Sequence, residues 1–324
     1  MKWFLRALGV LVALIVIAFL VFRTPDTDPA EMRAKYGGPP SQFIAIGDGV
    51  TVHLRDEGPK DAPAILLLHG SNADLHTWEP WVTGLSDSYR IIRFDQVGHG
   101  LTGPDPAHDY STENFTTDIN EVADALGLED FFLGGNSMGG KHALAYALAH
   151  PYRVAGLILV DAGGSPMRQI KDKDDGGGNI GFAIARTPGI NQIAEQITPR
   201  ALIAQSLDQS VSVKSVVTEA AIDRYWELLR YPGNRAATMA RFSSEYDPLS
   251  EAEVASIDVP TLILWGAEDR LIPVSAGEWL DRHIANSTMI NYPGIGHLPQ
   301  EEAPEATIAD VREWLVSQQK EPAD

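Results

Sequence analysis

At 324 residues, with 44% hydrophobic and 21% charged side chains, the chain has the size of one large α/β domain with an insertion, or of two small domains, and a composition that excludes disorder and a polytopic membrane protein. A formal net charge of −19 argues against nucleic acid as a partner, because phosphate binding needs clustered Lys and Arg. There is no cysteine, which excludes disulfides, thiolate metal sites and a Cys nucleophile.

The N-terminus departs from the globular pattern. Residues 7–22 carry no charge, and Trp3, Phe4 and Leu5 extend the run across Arg6 to roughly twenty residues, about the length that crosses a hydrocarbon core. Lys2 and Arg6 precede it, while Arg23 is followed by Pro25, Asp26, Asp28 and Glu31. This bias puts the N-terminus inside and the remainder on the non-cytoplasmic side, periplasmic or extracellular. The competing reading is a cleaved signal peptide and a secreted protein, but no clear small-x-small site sits beside Phe22. The expectation is an uncleaved transmembrane signal anchor over 1–23 with the membrane as partner, followed by a Pro- and Gly-containing linker over 24–40.

From residue 43 onward, apolar runs of strand length alternate with helical patterns, the signature of a mostly parallel sheet covered by helices. Runs 43–46 and 50–55 flank Gly47-Asp48-Gly49 and predict an antiparallel hairpin. Strands follow at 65–68, 91–94, 131–133, 157–160 and 262–265, with helical spacing at 118–126 and 311–316. About a hundred residues separate the strands ending at 160 and starting near 261, far more than an α/β connection needs. The charged, glycine-rich stretch 171–178 opens this segment and reads as mobile, and helical patterns such as 220–229 follow. The expected organisation is hydrolase core over 41–163, a mainly helical cap over 164–250, and core again over 251–324.

Chemistry concentrates at Gly135-Asn136-Ser137-Met138-Gly139-Gly140, directly after the apolar run 131–133 and before the helical stretch 141–149. A serine between glycines at a strand-to-helix turn has the layout of a nucleophile elbow, in which a strained backbone projects the hydroxyl at a helix N-terminus. A serine hydroxyl needs a base to take its proton. Asp269 follows the strand 262–265, and His297 lies in Gly294-Ile295-Gly296-His297-Leu298-Pro299 after a short strand at 289–292. The order Ser, Asp, His differs from the orders on other serine-hydrolase folds. His297 would move the Ser137 proton, and Asp269 would hold the imidazole tautomer.

On these residues the chain resembles a capped α/β-hydrolase from about residue 43 to the C-terminus. His69-Gly70-Ser71-Asn72 resembles the family's oxyanion loop, and Asp95-Gln96-Val97-Gly98-His99-Gly100 matches its Asp-x-x-Gly-x-Gly turn. The resemblance implies that the N–H groups of Met138 and Ser71, with Asn72 as the alternative to Ser71, stabilise a tetrahedral oxyanion. Asp161 competes with Asp269, since some relatives place the acid after the preceding strand, and Glu268 is a lesser competitor. Of the nine histidines, His69 and His99 are expected to shape loops, and His142, His150 and His283 to be surface or structural.

Relatives that open epoxides or displace halide carry Asp at the elbow, so Ser137 argues for acyl transfer. The leading expectation is a carboxylesterase acting on small to medium acyl esters through an acyl-enzyme. The elbow is also similar to that of meta-cleavage product hydrolases, which cleave carbon–carbon bonds in ring-fission dienoates. Those enzymes generally place Trp after the histidine, where this chain has Leu298. A non-catalytic binding domain is the third reading. No cofactor or metal is expected, and the glycine-rich 175–179 lacks the frame and Lys of a phosphate loop.

Overall fold

The computed structural model describes residues 2–166, 180–185, 187, 189–190, 193, 195–244 and 246–318. The glycine-rich stretches 171–178 and 175–179 lie outside the described residues. Two helices, α1 (Lys2–Phe22) and α2 (Pro29–Tyr36), precede the hairpin β1 (Gln42–Ala45) and β2 (Thr51–Glu57). There follow β3 (Ala64–Leu68), α3 (Glu79–Leu85), β4 (Arg90–Phe94), α4 (Thr112–Ala125), β5 (Phe131–Asn136), α5 (Met138–Ala149) and β6 (Val154–Val160). Among the described residues there come next α6 (Ile180–Ala185), α7 (Arg200–Ser210), α8 (Glu219–Leu229) and α9 (Asn234–Ser243). The chain ends with α10 (Glu251–Ala255), β7 (Thr261–Gly266), α11 (Val274–His283), β8 (Ser287–Tyr292), α12 (Pro299–Glu302) and α13 (Pro304–Gln318).

The eight strands form one sheet in the order β1-β2-β4-β3-β5-β6-β7-β8. β2 pairs antiparallel with β1 and β4, and every later pairing is parallel. Helices cover both faces, so β3, β5 and β7 are buried throughout and read as continuous apolar runs. One face packs Leu66, Leu133, Leu159 and Ile263 against Ile119 and Val122 of α4, Leu144 of α5 and Leu280 of α11. The other packs Ile65, Ile158 and Leu264 against Trp81 of α3 and Trp314 of α13. α4 begins six residues before the predicted 118, because Thr112 to Thr117 are polar apart from Phe115 and Ser111 supplies the start by accepting from Asn114 N at 3.2 Å.

Helices α6 to α9 meet the core through apolar and charged contacts. Leu207, Ala221 and Ile222 pack with Leu298, the residue after His297. Arg224 of α8 reaches across to Asp74, Nε to Oδ2 at 3.1 Å. Burial would raise the Asp74 carboxyl, but Arg224 and His76 outweigh it and hold the group below its ordinary value.

The N-terminal region differs from expectation in two ways. Among the described residues no helix is long and apolar enough to cross a membrane. α1 forms over Lys2–Phe22, but Lys2 and Arg6 occupy its first turns, and the uncharged run 7–22 spans only about 24 Å at 1.5 Å per residue, against roughly 30 Å of hydrocarbon. The transmembrane expectation is corrected to an exposed apolar helix, with Trp3, Phe4, Val10, Leu14, Leu20 and Phe22 turned outward. Residues 24–40 are likewise not a free linker. Thr24 N and Thr27 N donate to Gln196 O and Arg230 O at 2.9 Å each, and Arg235 of α9 binds Thr24 O at 2.8 Å and Asp26 Oδ1 at 2.6 Å. Met32 of α2 is buried with Leu101, Leu228 and Tyr231. The segment straps the helical insertion to the core.

Candidate active site

β5 runs into α5 through Ser137, whose φ of 54° and ψ of −115° lie where a side chain is disfavoured. The strain is held by hydrogen bonds on both sides: Ser137 N donates to Val160 O at 3.0 Å, and Ser137 O accepts from Gly163 N at 2.8 Å. The turn also brings α5 hard against β3, where a Cβ on Gly139 would stand 2.4 Å from Leu68 O. Only glycine fits there. The conformation lifts the Ser137 side chain above the carboxyl ends of the parallel strands, where open α/β sheets bind ligands.

The loops after β7 and β8 bring Asp269 and His297 together, with Nδ1 and Oδ2 2.7 Å apart and both residues buried. Asp269 is aimed by its own loop, its Oδ1 accepting from Leu271 N at 2.7 Å and Ile272 N at 3.1 Å. Glu268, by contrast, is exposed. The main chain of His297 is held from two directions: Ser210 of α7 accepts from His297 N at 3.0 Å, and Asn136 Nδ2 donates to His297 O at 3.1 Å. Among the described residues Ser137 Oγ makes no hydrogen bond to the imidazole, a link that need close only when a carbonyl carbon is under attack. Asp161, the competing acid, is buried beside the pair, with atoms of all three residues within 4.8 Å of one another. This is the one group with metal-ligand spacing among the described residues, yet its histidine is engaged in a hydrogen bond through Nδ1.

The loop after β3 passes directly over the serine. A Cβ on Gly70 would come within 3.2 Å of Ser137 Cβ, and the Ser71 hydroxyl lies 3.3 Å from Met138 Sδ. Among the described residues the N–H groups of Ser71 and Met138 have no hydrogen-bond acceptor, which leaves both available to an oxyanion. Asn72 is tied to the insertion, its Oδ1 accepting from Thr238 Oγ1 at 3.1 Å. Ser71 and Asn72 line a cleft whose walls come from α6 to α9, including Leu202, Ile203, Leu207 and Met239. The walls are mainly apolar, and neither Ser137 nor His297 lines the cleft.

Several residues at the site have no motif of their own. Asn136 uses its amide to join His297 O to Val160 O, each at 3.1 Å. Glu302, on α12, accepts from four backbone N–H groups: Ser212 at 2.7 Å, Val213 at 2.8 Å, Gly296 at 3.0 Å and Leu298 at 3.1 Å. One buried carboxylate thus clamps the insertion to the His297 loop. Arg241 of α9 lies over Met138, with Nη1 3.0 Å from its sulfur and 2.6 Å from His99 Nε2. No carboxylate pairs with it among the described residues, and burial lowers its affinity for the proton.

Three other histidines near the site, His69, His99 and His142, are buried and hydrogen-bonded. His69 accepts from Gln96 N at 3.0 Å and faces Gly70 O at 2.8 Å. His99 is turned to Val97 O at 3.1 Å and Arg241, and His142 to Gln96 Oε1 at 2.6 Å. Burial pushes the protonation of all three down, leaving them neutral hydrogen-bonding groups.

Residues 63–304 match the family model described as alpha/beta hydrolase fold. The chain is similar to the 2-hydroxy-6-oxononadienedioate/2-hydroxy-6-oxononatrienedioate hydrolase 2 of Pseudomonas putida, at 27% identity over 269 residues, 81% of this chain and 91% of the relative. Among solved structures, the meta-cleavage product hydrolase of Pseudomonas fluorescens IP01 superposes with a TM-score of 0.73 at 24% identity, over 85% of this chain and 97% of the other, a likeness of fold. A bacterial membrane phospholipase A matches at 26% identity and a TM-score of 0.66, covering 99% of this chain and 100% of its own. With this family match over most of its length, and the elbow, sheet order and loop constellation in place, the chain belongs to the alpha/beta hydrolase fold family.

Proposed function

We propose that the chain is a serine hydrolase in which Ser137 attacks a carbonyl carbon. His297 takes the hydroxyl proton and delivers it to the leaving group, and Asp269 holds the imidazole. The observation that carries this is the 2.7 Å contact of buried Asp269 with His297 Nδ1, on the loops beside a strained serine at a strand-to-helix turn. The N–H groups of Met138 and Ser71 would receive the oxyanion, after which water releases the acyl group.

Two finer readings concern the bond cleaved. Carbon–carbon hydrolysis of ring-fission dienoates has the wider support from the curated relatives, whose names specify such substrates. Arg241 favours it too, since a dienedioate is an anion and this guanidinium beside Met138 has no carboxylate partner among the described residues. Carboxylic-ester hydrolysis, the leading expectation from sequence, is supported by the apolar walls of the cleft and by the full-length match to a membrane phospholipase A. Leu298 packs against Leu207, Ala221 and Ile222 of the insertion.

The purified protein should be offered a ring-fission dienoate, a short p-nitrophenyl ester and a phospholipid, each also with Ser137→Ala. Turnover of the dienoate alone supports the first reading and turnover of esters alone the second. Hydrolysis that survives Ser137→Ala would remove the nucleophile assignment.

We also propose that α1 attaches the protein to a lipid surface, with the hydrolase part on the non-cytoplasmic side. Support comes from its outward apolar side chains and the flanking charges. Sedimentation with phospholipid vesicles should need residues 1–23; equal sedimentation without them would refute the attachment.

A further inference from the structure

Two aspartates crowd one imidazole. Asp161, at the end of β6, is fully buried, and a carboxyl oxygen of Asp161, one of Asp269 and a ring nitrogen of His297 lie within 4.8 Å of one another. Asp269 is already ringed by donors: its Oδ1 takes two backbone N–H groups and its Oδ2 faces His297 Nδ1. Asp161 has one such donor, Gly266 N at 3.0 Å from Oδ1. Its Oδ2 is buried and receives no donor among the described residues; the group it faces is Asp269.

An ionised carboxylate can only accept, so an Oδ2 in that position would be unsatisfied and would repel its neighbour. A carboxylic acid there is a donor, and Asp269 offers the acceptor. Two carboxyl groups in contact share one charge, and it resides on the partner with more donors, which is Asp269. The Asp161 backbone has a φ of +43°, outside the regions a side chain favours, so the surroundings hold this residue in place at a cost.

We propose that Asp161 is a positioning residue, a neutral carboxylic acid that donates its proton to Asp269 and keeps that carboxylate turned to His297 Nδ1. The inference rests on the reading of Ser137, His297 and Asp269 given above and adds a fourth group to it. Burial, the Asp269 charge and the hydrogen bond to Asp269 all push Asp161 well above the ordinary carboxyl range, against the single N–H of Gly266. The titratable groups around it are Asp269 after β7, His297 after β8, Tyr292 at the end of β8 and Glu302 on α12. In alkaline solution Asp161 loses its proton, the donated bond becomes a repulsion, and turnover falls.

Asp161→Asn retains a neutral donor for Asp269 and an acceptor for Gly266 N while removing the titrating proton. In the infrared at neutral pH, the difference between the full chain and Asp161→Asn should contain the carbonyl stretch of one protonated carboxylic acid, the contribution of Asp118 being common to both proteins. Turnover at neutral pH should stay within about three-fold, and the alkaline decline should vanish. Asp161→Val, if folded by circular dichroism, should lose about ten- to a hundred-fold in kcat with KM little changed, the effect of removing a hydrogen bond to a charged group. No acid band lost on Asp161→Asn, a loss as deep as that of Asp269→Asn, or an unchanged alkaline limb would each overturn the proposal. The infrared band needs no turnover, so it reports on Asp161 even if Ser137→Ala leaves hydrolysis intact and the functional reading itself fails.

Discussion

His297 is held at the ring and at the main chain: Asp269 faces Nδ1, the Asn136 amide donates to its carbonyl, and the Ser210 backbone carbonyl accepts from its N–H. Asp269→Asn preserves the shape but presents an amide donor to Nδ1, favouring the tautomer that cannot accept the Ser137 proton. Turnover should fall by about 10⁴-fold with KM nearly unchanged, measured by steady-state kinetics. Glu302 acts one step further out. Glu302→Leu leaves the N–H groups of Ser212, Val213, Gly296 and Leu298 without their acceptor, so denaturant unfolding should show a loss on the order of 4 kcal/mol. Ser137, Asp269 and His297 were legible in the sequence because each follows an apolar strand and sits in a recognisable turn. Asn136 and Glu302 were not, since their roles depend on which backbone groups lie across the fold, and no local spacing encodes that.

Among the elements, α4 carries the clearest pH signature. Asp118 faces inward from this helix; burial and the nearby charges of Asp105, Glu121, Asp48 and Asp109 raise its carboxyl to about 7. The folded state therefore binds this proton more tightly than the unfolded chain, whose carboxyl titrates near its ordinary value of 3.8. Stability from this group is intact below that value and declines as pH rises towards about 7, by on the order of 4 kcal/mol at 1.4 kcal/mol per pKa unit. Asp118→Asn should raise the melting temperature at pH 8 and change it little at pH 4. The helix also shows what periodicity can reach. Residues 118–126 were readable from Ile119, Val122 and Ala123, whereas the first six residues of α4 are mostly polar and owe their helical state to the Ser111 cap. The elbow between β5 and α5 was readable because its glycines are needed where backbones touch, as at Gly139.

Across the whole molecule, the strap and the insertion work on the same cleft. Arg235 and Thr198 line it and are bonded to Thr24 and Asp26, so the segment before α2 braces one wall. Removing residues 1–23 should leave the melting temperature within about 2 °C, because α1 is exposed. Removal through Tyr36 should lower it by roughly 5–10 °C, by loss of the Met32 burial and the Arg235 contacts, and raise KM. The Pro and Gly content of 24–40 concealed this role: composition reports the lack of a local pattern, while the strap is built from contacts between residues far apart in the chain, such as Asp26 and Arg235, 209 positions apart. The transmembrane expectation went too far for a related reason, since it counted apolar length across Arg6 as though the helix carried no charge there.

The claim that Ser137 is the nucleophile, activated by His297 and Asp269, is tested most directly by fluorophosphonate labelling of the folded protein followed by peptide mass spectrometry. The account predicts one adduct on the peptide containing Ser137, lost in Ser137→Ala and strongly slowed in His297→Gln. Folded protein that stays unlabelled at Ser137, or labels at the same rate without His297, would contradict it.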